Sequence, residues 1–579
     1  MNLPRGLQAW LPVLQWGRRY DRQAFAGDSV AAAIVTLMLV PQSLAYAALA
    51  GLPPQAGLYA SIAPLVLYAV FGTSHALAVG PVAVVSLMTA TAIGEHAGAA
   101  DAATLAITLA FLSGVMLLAM GVLRLGFLAH FLSHPVIAGF ITSSALLIAA
   151  GQARSMLGLP AGGSHFFETV AHLLQNLPQA HGLTAGVGVG TLLALAWARR
   201  GLKPLLRRVG VGAQAADMAT RAAPVAVIAL ATLLTWHFQW EAQGVRVVGV
   251  VPQGLPPLTW PRWDPALWAQ LAMPALLISV VGFVESVSVG QTLAARRRLR
   301  IEPDRELVAL GAGNVGAALT GGFPVTGGFA RSVVNFDAGA RTPAAGVLTA
   351  LGLLLVALLL TPALHHVPQA ALAASIVVAV MSLVDADMFR RTWAYSRADF
   401  TAMAVTLVTT LAAGVEAGLL AGVGLSLALF IYRTSRPHIA EVGRVPGSEH
   451  FRNVDRHAVR TSPRLLGLRM DESLYFANAR ALEDRINAEV ARRPALAHVV
   501  LQCSAINDID ASALESLEAI EQRLREAGIL LHLSEVKGPV MDRLRGTGLL
   551  QRLDGRVFLS HYQAVQALAP EVLDATPAD

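Results

Sequence analysis

The sequence predicts a polytopic α-helical membrane protein: fourteen transmembrane elements in a seven-plus-seven inverted repeat, followed by a cytoplasmic α/β domain. Three observations carry that prediction. Of the 579 residues 55% are hydrophobic and only 14% charged, with a mean hydropathy of +0.56, whereas soluble domains carry about 25% charged residues. Apolar runs long enough to cross a bilayer recur between residues 28 and 432. Two further apolar segments are short, interrupted by Gly and Pro, and sit at matching places in the two sets.

The first 27 residues read as a cytoplasmic segment. Arg18, Arg19, Asp21 and Arg22 precede an apolar run that is long enough to span and has no A-x-A-like site, so no cleavable signal is expected. Spans of about 17–25 residues fall at 28–48, 55–71, 102–123, 132–150, 183–198 and 221–237. The second set falls at 266–292, 305–320, 343–361, 369–384, 398–415 and 417–432. Segments 81–93 and 329–336 cannot cross a core of about 30 Å alone and count as half-helices. The transmembrane domain is therefore expected over 28–436.

Charge gives the orientation. Arg199, Arg200, Lys203, Arg207 and Arg208 follow the sixth element, Arg296, Arg297, Arg298 and Arg300 the eighth, Arg390, Arg391 and Arg397 the twelfth, and Arg433 and Arg436 the last. Opposite connections such as "GEHAGAAD" (94–101) and "TPALHHVPQ" (361–369) carry no Lys or Arg; the exceptions, Arg154, Arg246 and Arg262, lie in or near the longer outer connections, where the rule is weak. By the positive-inside rule both termini are expected on the cytoplasmic side of the cytoplasmic membrane. The net charge of +6 is dispersed through short loops, which argues against a nucleic-acid partner. Contact of Arg296 to Arg300 with anionic lipid is a further option.

After Pro437 the composition becomes charged. "LAHVVLQCSAI" (496–506) reads as a buried strand, "SALESLEAIEQRLREAG" (512–528) as a helix ending at Gly528, and "ILLHLSEV" (529–536) as a second strand before a short helix. This βαβα order predicts a small α/β domain with its tail over 461–579, joined by a linker at 437–460. One cysteine, Cys503, excludes an internal disulfide.

The chemistry points to the broken helices. "GTSHALAVGPVAVVSLM" (72–88) and "GGFPVTGGFARSVVNFDAG" (321–339) each contain an extended piece, a Gly-Pro or Gly-Gly step, and then a few helical turns. Such paired interruptions mark a transporter's substrate site. A helix beginning at mid-membrane presents unpaired N–H groups and its positive dipole end, so two facing N-termini make an anion site. Pro81 is expected in the first helical turn, where its missing N–H is harmless. Gly327 and Gly328 are expected to let the anion approach the backbone. Arg331 adds a fixed positive charge; an intramembrane charge is functional by default, the alternative here being a pair with Glu285.

These stretches, together with "PQSLAYAALAGLPPQAGLYA" (41–60), resemble the signature stretches of the SulP sulfate permease and anion-transporter family. The C-terminal part resembles its STAS domain. The resemblance implies core and gate domains, a homodimer and an elevator-like step that moves sulfate, bicarbonate, chloride or dicarboxylates. It assigns anion contact to Gln42 and Tyr46, to Gly80, Pro81 and Val82, and to Gly328, Phe329, Ala330, Arg331 and Ser332. Many relatives carry Ser at the positions of Gly328 and Ala330, so this sequence relies more on backbone N–H groups.

Glu285, alone within the eighth element, is the candidate proton carrier, because a carboxylate at that depth is costly when charged. Sodium coupling is the alternative, with Ser286 and Ser288 beside it. Other patterns point away from chemistry. "GAGNVG" (311–316) follows no strand and fits close helix packing instead of a dinucleotide. Adjacent His365 and His366 have poor geometry for joint metal binding, and Glu95, His96 and Asp101 sit in an outer loop. In the soluble domain Ser512 matches the serine phosphorylated in anti-sigma-factor antagonists of that fold, against a reading as a helix cap. Cys503 in a buried strand is expected to be inert. No cofactor, metal set or nucleophile–base pair suggests an enzyme.

The expectation is thus a proton-coupled sulfate carrier. Bicarbonate or C4-dicarboxylate transport by the same family is the runner-up. A nucleobase permease is disfavoured by Arg331 and the STAS domain, and an anion-gated scaffold signalling through that domain is the alternative from another class.

Overall fold

A computed structural model describes residues 11–130, 133–160, 163 and 165–574. Residues 1–10 of the N-terminal segment and 575–579 of the tail lie outside the described residues. The chain forms two compact units, one ending at Ser426 and one starting at Leu427.

The first unit contains α1 (Arg22–Leu49), α2 (Pro54–Phe71), β1 (Val79–Gly80), α3 (Ala83–Glu95), α4 (Ala102–Val122), α5 (His134–Leu157), α6 (Gly182–Trp197) and α7 (Ala213–His237). It continues with α8 (Pro265–Arg296), α9 (Pro303–Leu319), β2 (Thr326–Gly327), α10 (Phe329–Asp337), α11 (Ala344–Leu355), α12 (Gln369–Met381), α13 (Arg397–Ala413) and α14 (Val415–Ser435), whose residues from Leu427 on belong to the second unit. Among the described residues nine helices are long and apolar enough to cross a membrane. Both α9 and α13 stop at 17 residues, and α3 and α10 are shorter still.

Local chemistry sets several starts. Asp21 accepts the Ala24 N–H at 2.7 Å to begin α1, and Asp101 accepts the Thr104 N–H at 3.1 Å to begin α4. Close approach of α4 and α9 depends on glycine. A Cβ on Gly114 would lie 2.9 Å from the Gly311 carbonyl, and one on Gly311 would lie 2.9 Å from the Gly114 carbonyl. The "GAGNVG" glycines therefore serve helix packing.

Two expectations fail here. Pro81 is not in the first turn of α3: Val82 is the N-cap and Ala83 the first helical residue, so Pro81 stays in the extended lead. Segment 437–460 is not a linker. It supplies β3 (Ile439–Arg444) and β4 (Phe451–Asn453), which join a six-stranded sheet. Charged residues at alternate positions masked the strand: Ala440 and Val442 point inward while Glu441 pairs with Arg493.

The sheet continues through β5 (Leu465–Met470), β6 (His498–Gln502), β7 (Leu530–Ser534) and β8 (Val557–Phe558), in the order β4-β3-β5-β6-β7-β8. β5 to β8 run parallel, whereas β3 is antiparallel to both its neighbours. Helices α15 (Ala479–Arg492), α16 (Ala511–Glu526) and α17 (Gly538–Arg545) cover one face through Leu482, Ile486, Leu517, Leu524 and Leu544. Helix α18 (His561–Leu568) packs Val565 against Leu465 and Val500 on the other. Strands buried on both faces require such continuous apolar runs.

Candidate anion-binding site

β1 and β2 form a buried antiparallel pair, with Val79 opposite Gly327 and Gly80 opposite Thr326. Strands of two residues cannot satisfy their surroundings alone, so side chains complete the bonding. Asn314 brackets Val325, its Oδ1 accepting from the Val325 N–H and its Nδ2 donating to the Val325 carbonyl, both at 2.9 Å. Ser286 Oγ accepts the Gly327 N–H at 2.8 Å and lies 2.6 Å from Thr326 Oγ1. Ser332 Oγ accepts the Ala78 N–H at 2.9 Å, and Asn335 Nδ2 donates to the Ala76 carbonyl at 3.1 Å. Sequence reading missed Asn314, Thr326 and Asn335 as the supports of this crossing. A polar side chain inside an apolar run was the available signal.

Each strand then leads into a half-helix. Val82 and Gly328 are the N-caps of α3 and α10, and neither cap is closed by a side chain. The first intrahelical bonds are Ser86 N–H to Val82 O at 2.9 Å and Ser332 N–H to Gly328 O at 3.0 Å. Helix geometry therefore leaves the N–H groups of Ala83, Val84 and Val85, and of Phe329, Ala330 and Arg331, without partners in their own helices.

Arg331 sits where the two N-termini meet. Its residue is 3% exposed, and both Nη1 and Nη2 are buried without a hydrogen-bond partner. A Cβ on Gly80 would lie 2.8 Å from Nη1, and one on Gly328 would lie 2.9 Å from Nε and Nη2. Those glycines make room for the guanidinium. The expectation that Gly327 and Gly328 open the backbone to an anion is corrected: Gly327 donates to Ser286, Gly328 donates to the Ala78 carbonyl at 3.2 Å, and a Cβ on Gly327 would meet Leu77 at 2.7 Å.

Tyr46 is buried, Glu285 is partly exposed, and both interact electrostatically with Arg331. No hydrogen bond joins Glu285 to the Arg331 Nη atoms. Gln42, Tyr46, Phe329 and Ala330 line a cavity of about 360 Å³ also lined by α6, α7 and α12, with Ser375 on α12 and Arg199 just past the end of α6. Arg199 Nη1 donates to the Val378 carbonyl at 3.1 Å. Pro81, Val82, Gly80 and Ser332 are buried and do not line this cavity, and the Ser332 hydroxyl is occupied by the Ala78 N–H.

A second cavity, of about 610 Å³, also touches Ala45 and Ile376. From Ala45 it runs toward Leu49 on α1 and from Ile376 toward Gln369 on α12, while the first runs toward Met38 and Ser382. The two cavities extend in opposite directions along the same two helices, with Ala45 and Ile376 shared between them. The chemistry this arrangement supports is reversible binding of an anion by uncapped helix ends and a guanidinium whose Nη atoms lack hydrogen-bond partners.

The family now follows. Residues 25–406 match the model of the sulfate permease family, and residues 456–564 match that of the STAS domain. The chain belongs to the sulfate permease family. This sulfate permease family member is 34% identical to "Sulfate transporter 4.1, chloroplastic" of Arabidopsis thaliana over 98% of its own length and 83% of the relative's. It is 33% identical to a probable sulfate transporter of Mycobacterium tuberculosis, covering 96% of its own chain and 98% of the other. Its fold is that of the murine Solute Carrier 26 family member A9 anion transporter, solved in the inward-facing state, with a TM-score of 0.88 at 21% identity over 98% and 95% of the two chains. The transmembrane domain of a cyanobacterial bicarbonate transporter aligns with a TM-score of 0.60 at 21% identity, covering 70% of this chain and 99% of that one. The protein is therefore an integral membrane transporter-fold chain with a C-terminal STAS domain.

Other predicted positions of this family member resolve differently. Ser512 is exposed at the second residue of α16, and the cap is Asp510, which accepts the Ala513 N–H at 2.8 Å. The reading of Ser512 as a cap is thus overturned. Cys503 is buried and its thiol is pushed up to about 12 by burial, which makes it a poor nucleophile. Arg297 donates to the Phe336 carbonyl at 3.1 Å and lies 4.2 Å from the Phe336 ring centroid, closing the C-terminal end of α10.

Proposed function

We propose that this protein is a secondary active transporter that takes up sulfate across the cytoplasmic membrane, coupled to protons. The observation that carries the reading is Arg331, buried with both Nη atoms unpartnered between two uncapped half-helix N-termini. An oxyanion placed there supplies the acceptors these donors lack. Sulfate is favoured over bicarbonate and dicarboxylates because relatives at 33–34% identity carry sulfate transporter names.

The transporter domain is 28–436, read as fourteen elements α1 to α14 in two inverted sets of seven. The antiparallel β1–β2 pair supports that symmetry. Gln42, Tyr46, Gly80, Pro81, Val82, Gly328, Phe329, Ala330, Arg331 and Ser332 build the site, the buried members by shaping and pinning it. The elements that carry it move as a body against α6, α7 and α12, so that the anion passes from one cavity to the other. Glu285 carries the proton, being within electrostatic range of Arg331 without a bond to it. Both termini face the cytoplasm, the chain works as a homodimer, and the exposed Ser512 is the position for a regulatory phosphate.

The test is radiolabelled sulfate uptake into proteoliposomes with an inward proton gradient, competed by bicarbonate, chloride and C4-dicarboxylates. Sulfate should compete best. In Glu285→Gln, gradient-driven accumulation should disappear while sulfate exchange persists; accumulation equal to wild type would remove Glu285 from the coupling step. Stronger competition by bicarbonate would replace sulfate as the substrate.

A further inference from the structure

Glu241 lies in the connection after α7, and His365 and His366 lie in the connection before α12. Those connections are tied together by their backbones. The Val248 N–H donates to the Val367 carbonyl at 2.9 Å, the Gly249 N–H to the His365 carbonyl at 3.0 Å, and the Gln369 N–H to the Arg246 carbonyl at 2.9 Å. Val247 and Pro368 form a bridge between them. The side chains are thus held in register by main-chain bonds that do not involve them.

One carboxylate oxygen, Glu241 Oε2, stands 3.5 Å from His365 Nε2 and 3.3 Å from His366 Nδ1. The three ligand-capable atoms all lie within 4.8 Å of one another. These separations exceed the length of about 2.7–2.9 Å of a charge-assisted N–H···O hydrogen bond. The two carboxylate–imidazole separations match the edge of a tetrahedron instead. Bonds of about 2.0–2.2 Å from zinc to nitrogen and oxygen place two ligand atoms about 3.4 Å apart. The imidazole rings are inclined at 74° with centroids 4.6 Å apart, and one nitrogen of each lies within 3.5 Å of the same Glu241 oxygen. Side-chain exposures of 31%, 35% and 44% leave a fourth position open to water.

We propose that Glu241, His365 and His366 form a three-ligand site for a divalent transition metal of the zinc type. Two nitrogens and one carboxylate oxygen suit zinc, cobalt or nickel, whereas magnesium and calcium prefer oxygen shells. Occupancy links the connections attached to α7 and α12, two of the helices that line the 360 Å³ cavity.

The experiment uses the full chain, purified without a histidine tag and stripped with a chelator. Cobalt titration should give a saturable tetrahedral d–d absorption band that zinc removes, and zinc should raise the thermal midpoint. The band should be lost, or the affinity weakened at least about tenfold, in His365→Ala/His366→Ala and in Glu241→Ala. Magnesium should neither displace cobalt nor raise the midpoint. A wild-type protein without a saturable band overturns the site, as does a double variant that binds cobalt like wild type. Glu241→Gln, which keeps the side chain's shape, guards against misfolding: normal cobalt binding there also overturns the carboxylate as a ligand.

Discussion

Two buried ionisable groups in the transporter unit are treated in opposite ways. Glu306, at the start of α9, is fully buried and fully bonded. Its Oε2 accepts from the Tyr68 hydroxyl at 2.7 Å, and its Oε1 accepts from the Thr73 N–H at 2.8 Å and the Thr73 hydroxyl at 2.5 Å. Arg331 is almost as buried, yet both its Nη atoms lack a partner. A charge whose bonding is complete holds structure together, here the turn after α2 against α9. A charge left incomplete carries a desolvation cost that only a ligand can offset. The contrast separates a carboxylate with complete hydrogen bonding from a guanidinium whose Nη atoms have none, without reference to either's place in the sequence.

The sharpest way to break the comparison is to remove Arg331. In Arg331→Ala, saturable sulfate uptake should vanish, with apparent affinity weakened about 100-fold, the equivalent of one charge-assisted contact worth about 2–3 kcal/mol. Thermal stability without anion should not fall, because a buried charge with no hydrogen bonds at its Nη atoms has been removed. Sulfate should raise the midpoint of wild type and not of the variant. A large loss of stability with sulfate affinity retained would make Arg331 a second Glu306.

Crowding the guanidinium should act next. Gly328→Val places a β-branched side chain where a Cβ already lies 2.9 Å from Arg331 Nε and 3.2 Å from Val82 Cγ1. Sulfate affinity should weaken about tenfold or more as the side chain is displaced. Ala330→Ser, exposed at the cavity wall, should change affinity by less than about threefold while adding a donor. Normal sulfate binding in Gly328→Val would detach the site from this half-helix.

Glu306→Ala should show the reverse pattern. It strands the Tyr68 hydroxyl and the Thr73 donors, which costs about 1–3 kcal/mol, read as a lower midpoint in detergent. The sulfate affinity of the folded fraction should stay within about threefold of wild type. A tenfold loss of affinity without a change in midpoint would erase the distinction between the two charges.

The mildest case lies in the STAS domain, where histidines are buried neutral. His561 bonds Ser534 Oγ through Nδ1 at 3.0 Å and leaves Nε2 without a partner, while His532 lies 3.2 Å from His498. Burial, foremost, pushes both down to about 4, from 6.5 in the unfolded chain. The unfolded state therefore binds more protons between those values. The stabilisation is present above about 6.5 and is lost as pH falls toward 4. Protection factors of β6 and β7, taken relative to intrinsic exchange at each pH, should fall over that window, less so in His561→Phe; protection factors that do not change would mean the histidines are not buried in solution.

Much of this was legible in the chain because its signals are local. Apolar runs separated by Arg clusters mark helices through the cost of unsatisfied backbone in lipid. The Gly-Pro and Gly-Gly breaks mark half-helices for the same reason, and the structure begins α3 and α10 within two residues of the expected positions. Arg331 is conspicuous since a guanidinium inside an apolar segment needs an explanation. The strand at 439–444 was not legible, because its pairing with residues 465–470 supplies the pattern that its own charges conceal.

Sequence by itself determined the membrane class, the two broken helices and the charge between them, all of which depend on composition and near-neighbour order. Tertiary structure alone decided which donors are left over. That the Gly327 and Gly328 N–H groups are consumed by Ser286 and Ala78, that Arg331 is not bonded to Glu285 through its Nη atoms, and that Glu241 meets His365 and His366 are facts about residues far apart in the chain. Hydrogen-bond satisfaction and ligand geometry are set by distances of about 3 Å in space, which no spacing along the chain encodes.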